Sequence, residues 1–162
     1  MRNILYTCLF LFCCFSMTGK VPSKQKIRLT ENWEYLKGDL GGIWEAVRPA
    51  SPGNPETVPV WQKVTLPHCF NAEDAVDPDV NYYQGPGWYK TLLTVDNPYA
   101  DGRIVLDFEG AGQKTKVYIY TTLVGEHVGG YDEWSVDITE AVNSFMADDQ
   151  LMKRFKGKIP LS

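Results

Sequence analysis

The side chains best suited to bind a ligand lie in two stretches of the sequence. The candidates are His68, Asp74, His127 and Tyr131. His68 opens a long acidic loop that contains Asp74; it contacts a ligand or, as the favoured alternative, bonds to the local backbone as a polar turn residue. For His127, contact with a ligand and an ordinary loop position both stay open. Tyr131 follows a Gly-Gly pair, which lets the backbone approach another surface closely, and it is the first choice for contact with a ligand or a neighbouring domain.

No catalytic centre is marked in the sequence. A hydrolytic pair of carboxylates could be drawn from Glu73 and Asp74, or from Glu126 and Asp132, but nothing marks either pair as poised. No His, Cys and Asp cluster has metal-ligand spacing, and the acids between positions 74 and 79 lack the Gly and the closing Glu of an EF-hand loop. We therefore predict no catalytic residue, no cofactor and no metal, with structural calcium at these acids as the minority alternative.

Length and composition indicate one ordinary folded domain. The chain has 162 residues, of which 44% are hydrophobic and 22% charged, and this composition is typical of a globular protein. The formal net charge is -4 and no basic patch stands out, so nucleic acid is not expected as a partner. Five Trp and nine Tyr make stacking surfaces for ring-shaped ligands plausible.

The N-terminal residues have the layout of a secretory signal peptide. Arg2 supplies positive charge, Ile4 to Phe15 is almost continuously apolar, and residues 16–19 are mostly small or polar. The apolar run is too short for a stable membrane span. We expect a signal peptide over 1–19, a linker over 20–27 and the folded domain over 28–162, in a secreted or periplasmic protein.

The cysteines fit the same interpretation. Cys13 and Cys14 end the apolar run, but the bulky Leu11 and Phe12 before them make a lipid anchor the less favoured alternative. Only Cys69 lies beyond the expected signal peptide, so the domain has no internal disulfide and depends on its core.

Strand periodicity dominates the rest of the chain. In four segments apolar and polar residues alternate, which buries one face of a strand and exposes the other: Trp88–Val95, Arg103–Glu109, Lys116–Thr121 and Trp134–Thr139. A weaker strand is predicted at Lys63–Leu66 and one helical turn at Thr139–Met146. Ala46 to Val58 is predicted as a surface loop and His68 to Gln84 as a long loop with a functional role. Trp88 and Trp134 are expected in the core.

Four motifs in one order resemble the N-terminal sugar-binding domain of glycoside hydrolase family 2, the family of β-galactosidases, β-glucuronidases and β-mannosidases. They are Trp61-Gln-Lys-Val-Thr-Leu-Pro-His68; Tyr83-Gln-Gly-Pro-Gly-Trp-Tyr-Lys90; Val105-Leu-Asp-Phe-Glu-Gly-Ala111 with Val117-Tyr118; and Val124-Gly-Glu-His-Val-Gly-Gly-Tyr131 with Val136-Asp-Ile-Thr139. The resemblance implies an all-β, galactose-binding-like jelly-roll β-sandwich. It also implies an immunoglobulin-like domain and a catalytic (β/α)8 barrel as partners in the parent enzyme. The two catalytic glutamates of this retaining family lie in that barrel, and neither can be assigned to this chain.

The sequence departs from the family pattern in two places. Tyr120-Thr121 stands where the family usually has Asn-Gly, which supplies the positive φ angles of a tight hairpin turn, so a looser turn is expected. Lys158 to Ser162 resembles the start of the family's final strand, cut short. This predicts a fragment without its final strand and with marginal stability.

The leading hypothesis is a non-catalytic sugar-binding or bracing domain of a secreted family 2 glycosidase. The Gly-Pro-Gly-Trp-Tyr and His-Val-Gly-Gly-Tyr segments favour a β-galactosidase as the parent. A stand-alone lectin-like module that binds a β-glycoside is the first alternative, and a purely structural fragment is the second.

Overall fold

The computed structural model describes residues 25–49, 59–97 and 101–162. The expected signal peptide and most of the linker before the domain lie outside these residues, as does most of the loop predicted from Ala46 to Val58.

Eight strands and three short helices are present in the described residues. In chain order they are β1 (Trp33–Lys37), α1 (Ile43–Val47), β2 (Gln62–Val64), β3 (Gly87–Leu93), β4 (Val105–Phe108), β5 (Lys114–Ile119), β6 (Thr122–Val128), β7 (Trp134–Asp137), α2 (Thr139–Met146), α3 (Asp149–Arg154) and β8 (Ile159–Leu161). The five predicted strands are all found with slightly shifted bounds. The helical turn predicted over Thr139–Met146 is an eight-residue helix, and the sequence analysis did not predict α1 or α3.

The strands form two antiparallel sheets that pack as a sandwich. The large sheet has six strands in the order β2-β1-β3-β8-β5-β6, and the small sheet pairs β4 with β7. Inward side chains of both layers and of α2 make the core; Ile119, Ile138, Val142 and Ile159 are almost wholly buried there. Alternation along β5 explains this placement, since Val117 and Ile119 share its inner face. The all-β sandwich predicted from the sequence is confirmed.

Trp134 packs against the core while staying half-buried. Trp88 is half-buried as well but lies on the outer face of the large sheet, away from the core cluster. The Trp88 ring stacks on the Tyr118 ring at a centroid distance of 6.3 Å. The expectation of a core position is therefore met only in part.

The β5–β6 hairpin is tighter than the sequence predicts. Ile119 pairs with Thr122, so only Tyr120 and Thr121 form the turn. Tyr120 adopts a backbone φ of 53° there. This left-handed conformation costs a non-glycine residue about 1 kcal/mol or more. Packing offsets the strain, because the Tyr120 ring lies 5.7 Å from Phe145 and 5.8 Å from Phe155.

The C-terminal strand occupies the centre of the large sheet. All three residues of β8 are buried, and β8 pairs with Thr91 to Leu93 of β3 and with Ile119 of β5. The residues of β3 that precede Thr91 pair with β1 instead. The segment Lys158–Ser162, predicted as the start of a strand cut short, thus contains β8, a central element of the sheet. None of the helices in the described ranges is long and apolar enough to cross a membrane.

Candidate functional site: two loops at one end of the large sheet

The four candidate residues lie on two loops at the same end of the large sheet. Lys37, the last residue of β1, pairs with Gly87, the first of β3, and Val128, the last of β6, pairs with Lys114, the first of β5. Both β3 and β5 run antiparallel to β8, so they start at the same end. The acidic loop (residues 68–84) leads to this end before β3. The Gly-Gly loop (residues 129–133) leaves it after β6.

Asp74 holds the acidic loop to the sheet. Its carboxylate accepts a hydrogen bond from Lys37 Nζ at 2.7 Å and one from the Tyr83 backbone N–H at 3.3 Å, and its side chain is only 9% exposed. The hydrogen bond from Lys37, supported by the positive charge of that residue, keeps the pKa of Asp74 below its ordinary value, although burial acts in the opposite direction. Asp74 is therefore an ionised structural anchor at neutral pH and has no proton to donate.

The base of the acidic loop is further fixed by buried polar and aromatic groups. The buried Asn71 donates from Nδ2 to the Tyr83 carbonyl at 2.9 Å. His68 Nδ1 lies 2.8 Å from the Tyr89 hydroxyl, and its ring is 5.0 Å from that of the buried Tyr35. Burial is the main cause that raises the pKa of both Tyr35 and Tyr89. His68 therefore contacts the side chain of Tyr89 and not the local backbone as favoured from the sequence, and its contact with a ligand stays a prediction.

The Gly-Gly loop is built on a stack of three rings. His127 stacks on Trp134 with centroids 4.8 Å apart and an interplanar angle of 13°, and Trp134 stacks on Phe108 at 4.3 Å and 7°. His127 Nε2 lies 3.0 Å from a carboxylate oxygen of Asp132, close enough for an ion pair but not aligned as a hydrogen bond. His127 is consequently part of the base of the loop.

Glycine is required at the start of this loop. Gly129 has a φ of +152°, and a Cβ added there would clash with Asp132 Oδ1 and lie 2.8 Å from His127 Nε2. The glycine lets the chain turn sharply past the His127–Asp132 pair. Tyr131, at the tip of the loop, is fully exposed.

The four candidates form two pairs, with His68 and Asp74 on one loop and His127 and Tyr131 on the other. Among the described residues, no hydrogen bond, ion pair or ring contact joins the two pairs. The sequence analysis missed Lys37 and Asn71, which hold the acidic loop. The alternation of β1 carries a weak signal for Lys37, but a partner 37 residues away in the chain leaves no local trace.

The other acids have structural partners as well. Glu126 forms an ion pair with Lys116 at 2.9 Å, and the hydrogen bond and charge of Lys116 lower the pKa of Glu126. Asp77 accepts a hydrogen bond from the backbone N–H of Asp79 at 3.0 Å. In the part of the chain that the structure describes, no group of three or more His, Cys, Asp or Glu side chains could hold a metal ion.

Comparison with known proteins establishes the family. Residues 19–149 match the family described as "Glycosyl hydrolases family 2, sugar binding domain". The match covers most of the chain and agrees with the antiparallel sandwich. The chain therefore belongs to glycoside hydrolase family 2, as its motifs predict.

The relatives it resembles are much longer than this chain. A β-glucuronidase of Parabacteroides merdae is 77% identical, with a TM-score of 0.79, over 83% of this chain and 17% of its own. β-Glucuronidase 3 of Bacteroides uniformis is 65% identical, with a TM-score of 0.81, over 86% of this chain and 18% of its own. A putative β-glucuronidase of Formosa agariphila is 33% identical over 75% of this chain and 14% of its own length.

Proposed function

We propose that this chain is a non-catalytic sugar-binding or bracing module of an exported family 2 glycosidase. The state of its carboxylates carries the proposal. A retaining glycosidase needs one carboxyl group that keeps its proton near neutral pH, hence a raised pKa, close to a second carboxylate. Asp74 and Glu126, one from each pair that could be drawn from the sequence, have pKa values lowered by lysine partners instead.

We further propose that the parent activity is hydrolysis of β-glucuronides. The sequence motifs favoured β-galactosides, but the relatives at 77% and 65% identity are both described as β-glucuronidases. The apolar run from Ile4 to Phe15 supports export of this protein. Edman sequencing of the protein purified from the cell envelope or medium tests export, and a mature N-terminus near Lys20 is expected.

Hydrolysis assays test the non-catalytic role. The purified chain, from Lys20 onward, is incubated with nitrophenyl β-glucuronide, β-galactoside and β-mannoside. We expect no turnover above buffer, because lysine partners hold the pKa values of Asp74 and Glu126 below the ordinary range of carboxyl groups. Turnover that survives repurification and stays with the chain on a sizing column would contradict the proposal.

A fusion enzyme tests the module role directly. The chain from Lys20 onward replaces the matching segment of the Parabacteroides merdae β-glucuronidase. We expect the fusion enzyme to hydrolyse nitrophenyl β-glucuronide, since 77% identity over the shared segment preserves most contacts. A soluble but inactive fusion enzyme would refute the proposal that the chain is a β-glucuronidase module.

A stand-alone carbohydrate-binding role is the second candidate, and the full exposure of Tyr131 favours it. Aromatic rings that face solvent can stack on sugar rings. Calorimetric titration of the chain alone with glucuronate and galactose, compared with the Tyr131→Ala variant, separates sugar binding without a partner from bracing alone. Binding that disappears in the variant supports the lectin-like role, whereas no heat from either protein supports bracing.

A further inference from the structure

The end of the large sheet opposite the two loops carries a cluster of exposed cations. β8 runs antiparallel to β3 and β5, so it begins at this opposite end. The segment that leads into β8 contains Lys153, Arg154, Lys156 and Lys158 and no acidic residue after Asp149. All four cations are exposed, in a chain whose formal net charge is -4. The sequence analysis did not single out this cluster, because the charge of the chain as a whole is negative.

The fold accounts for only part of this positive charge. Lys153 and Arg154 lie in the last turn of α3, where cations interact favourably with the helix dipole. Lys156 and Lys158 lie beyond the helix, in the turn that leads to β8. Within residues 25–49, 59–97 and 101–162, none of the four cations forms an ion pair with a carboxylate. The cluster therefore presents positive charge to an anionic ligand.

An exposed tryptophan lies beside the cations. Trp44 of α1 is 50% exposed, and the guanidinium carbon of Arg154 lies 5.9 Å from the centre of its ring. Arg154 also donates from Nη2 to the Val47 carbonyl at 2.6 Å, which ties α1 to the end of α3. The Tyr120 ring lies 6.5 Å from the Trp44 ring. Since these contacts hold α1, Trp44 is presented in a defined position, which reduces the entropy lost on binding.

We propose that this surface binds an acidic polysaccharide built of uronic acid residues. We call it the basic face, and it consists of Trp44, Lys153, Arg154, Lys156 and Lys158. The apolar side of a sugar ring stacks on an exposed aromatic ring, while ammonium and guanidinium groups pair with the carboxylates along the polymer. The choice of uronic acid rests on the proposed function, whose parent activity acts on β-glucuronides. The cations and the exposed ring do not depend on it.

Two observations favour a polysaccharide over other polyanions. The family to which the chain belongs is described by its sugar-binding domain. Of the described aromatic residues that contact Arg154, only Trp44 is exposed, whereas Tyr120 and Phe155 are half-buried. One exposed ring suits a sugar, whereas single-stranded nucleic acid stacks its bases on successive rings and a membrane surface requires a broad apolar face.

Calorimetric titration of the chain from Lys20 onward tests the ligand. The probe is a hexasaccharide of β-(1→4)-linked glucuronic acid. Cellohexaose is the matched neutral ligand, because the two differ only in a carboxylate in place of each hydroxymethyl group. We expect the acidic hexasaccharide to bind at low salt, with an affinity that falls as salt is added, and cellohexaose not to bind. Equal binding of the two, or binding of neither, would overturn the inference.

Variants locate the ligand on the basic face. Lys156→Gln/Lys158→Gln and Trp44→Leu are each expected to weaken binding of the acidic hexasaccharide at least about fivefold. Lys63→Gln/Lys114→Gln is the matched control, since it removes the same charge at two exposed lysines elsewhere, and it should change the affinity less than about twofold. An equal loss in both double variants would assign the effect to net charge and overturn the basic face.

The remaining measurements complete the test. The lysine variants should melt like the parent, because their side chains are exposed, so they test the face even if Trp44→Leu destabilises α1. Polyphosphate and phosphatidylglycerol vesicles are titrated as other anionic ligands. Binding of either one as tightly as the glucuronate hexasaccharide would indicate an unselective anionic contact and overturn the inference.

The outcomes separate this inference from the proposed function. A fusion enzyme that hydrolyses the glucuronide, together with a chain that does not bind the acidic hexasaccharide, overturns the basic face alone. A soluble but inactive fusion enzyme overturns the β-glucuronidase module, while the titrations of the chain by itself still decide the basic face.

Discussion

Gly125 of β6 lies tightly against β7 of the small sheet, and this close approach yields a quantitative prediction. A Cβ added to Gly125 would lie 2.7 Å from Cγ2 and 3.3 Å from Cβ of Val136 in β7, and 3.8 Å from Cζ3 of Trp134. The backbone there is not left-handed, so an alanine meets only this steric conflict. The change Gly125→Ala must therefore push the sheets apart just where Trp134 stacks on His127.

The expected size of the effect follows from the packing. Inserting one methyl group into a packed core lowers the free energy of unfolding by about 1–3 kcal/mol. For a domain of this size, each kcal/mol lowers the melting temperature by roughly 3–5 °C. Val136→Ala removes two methyl groups from a half-buried position, and we expect a loss of about 1–2 kcal/mol. The double variant should cost less than the sum by about 1 kcal/mol, because the new methyl of residue 125 fills space vacated by Val136.

Urea unfolding followed by tryptophan fluorescence measures this cycle. Gly110→Ala is the matched control, since its added Cβ would meet only the Gly130 carbonyl oxygen at an ordinary 3.7 Å. If Gly125→Ala unfolds at the same urea concentration as the parent, the close approach of β6 to β7 is wrong. Strict additivity of the two changes would show that Val136 is not the residue in conflict.

Three further changes test other parts of the fold. Hydrogen bonds from Thr139 and the charge of Arg103 lower the pKa of Asp137 to about 2. The ionised Asp137 therefore stabilises the fold fully above about pH 4, and this stabilisation is lost as the pH falls toward 2. Asp137→Asn should make the melting temperature depend less on pH in this acidic range. Asp148→Ala removes the cap of α3 and should cost about 1 kcal/mol in urea unfolding. Tyr120→Gly relieves strain but removes ring packing, for a net loss of about 1–3 kcal/mol.

Each of these changes has its own check. Asp101→Asn alters an exposed acid and should leave this pH dependence as it is; an equal reduction would assign the effect to net charge. Asp148→Asn keeps an oxygen that accepts the two N–H groups at the start of α3 and should retain most of the stability. A gain in stability from Tyr120→Gly would mean that the φ strain outweighs the aromatic packing.

Local periodicity was sufficient to predict the strands but not their arrangement. β4, β5 and β7 alternate within themselves, so their inner faces were readable from the sequence. The central position of β8 could not be predicted from the sequence, because a strand of three residues is too short to show an alternating pattern. Its neighbours in the sheet are determined by pairing between distant parts of the chain. The tight turn at Tyr120 was missed for the same reason, since the contacts that offset its strain come from α2 and the residue after α3.

The candidate residues show why residue type alone could not define the site. The sequence does not distinguish an aspartate that is bound by a lysine from one that faces a substrate. Asp74 is of the first kind, because Lys37 at the end of β1 lies beside it and donates a hydrogen bond to its carboxylate. His68 and His127 are likewise held by Tyr89 and Trp134. Tyr131 is instead fully exposed, and truncating it should leave melting unchanged. Any effect of Tyr131→Ala on sugar titration or on the fusion enzyme therefore reports recognition and not folding.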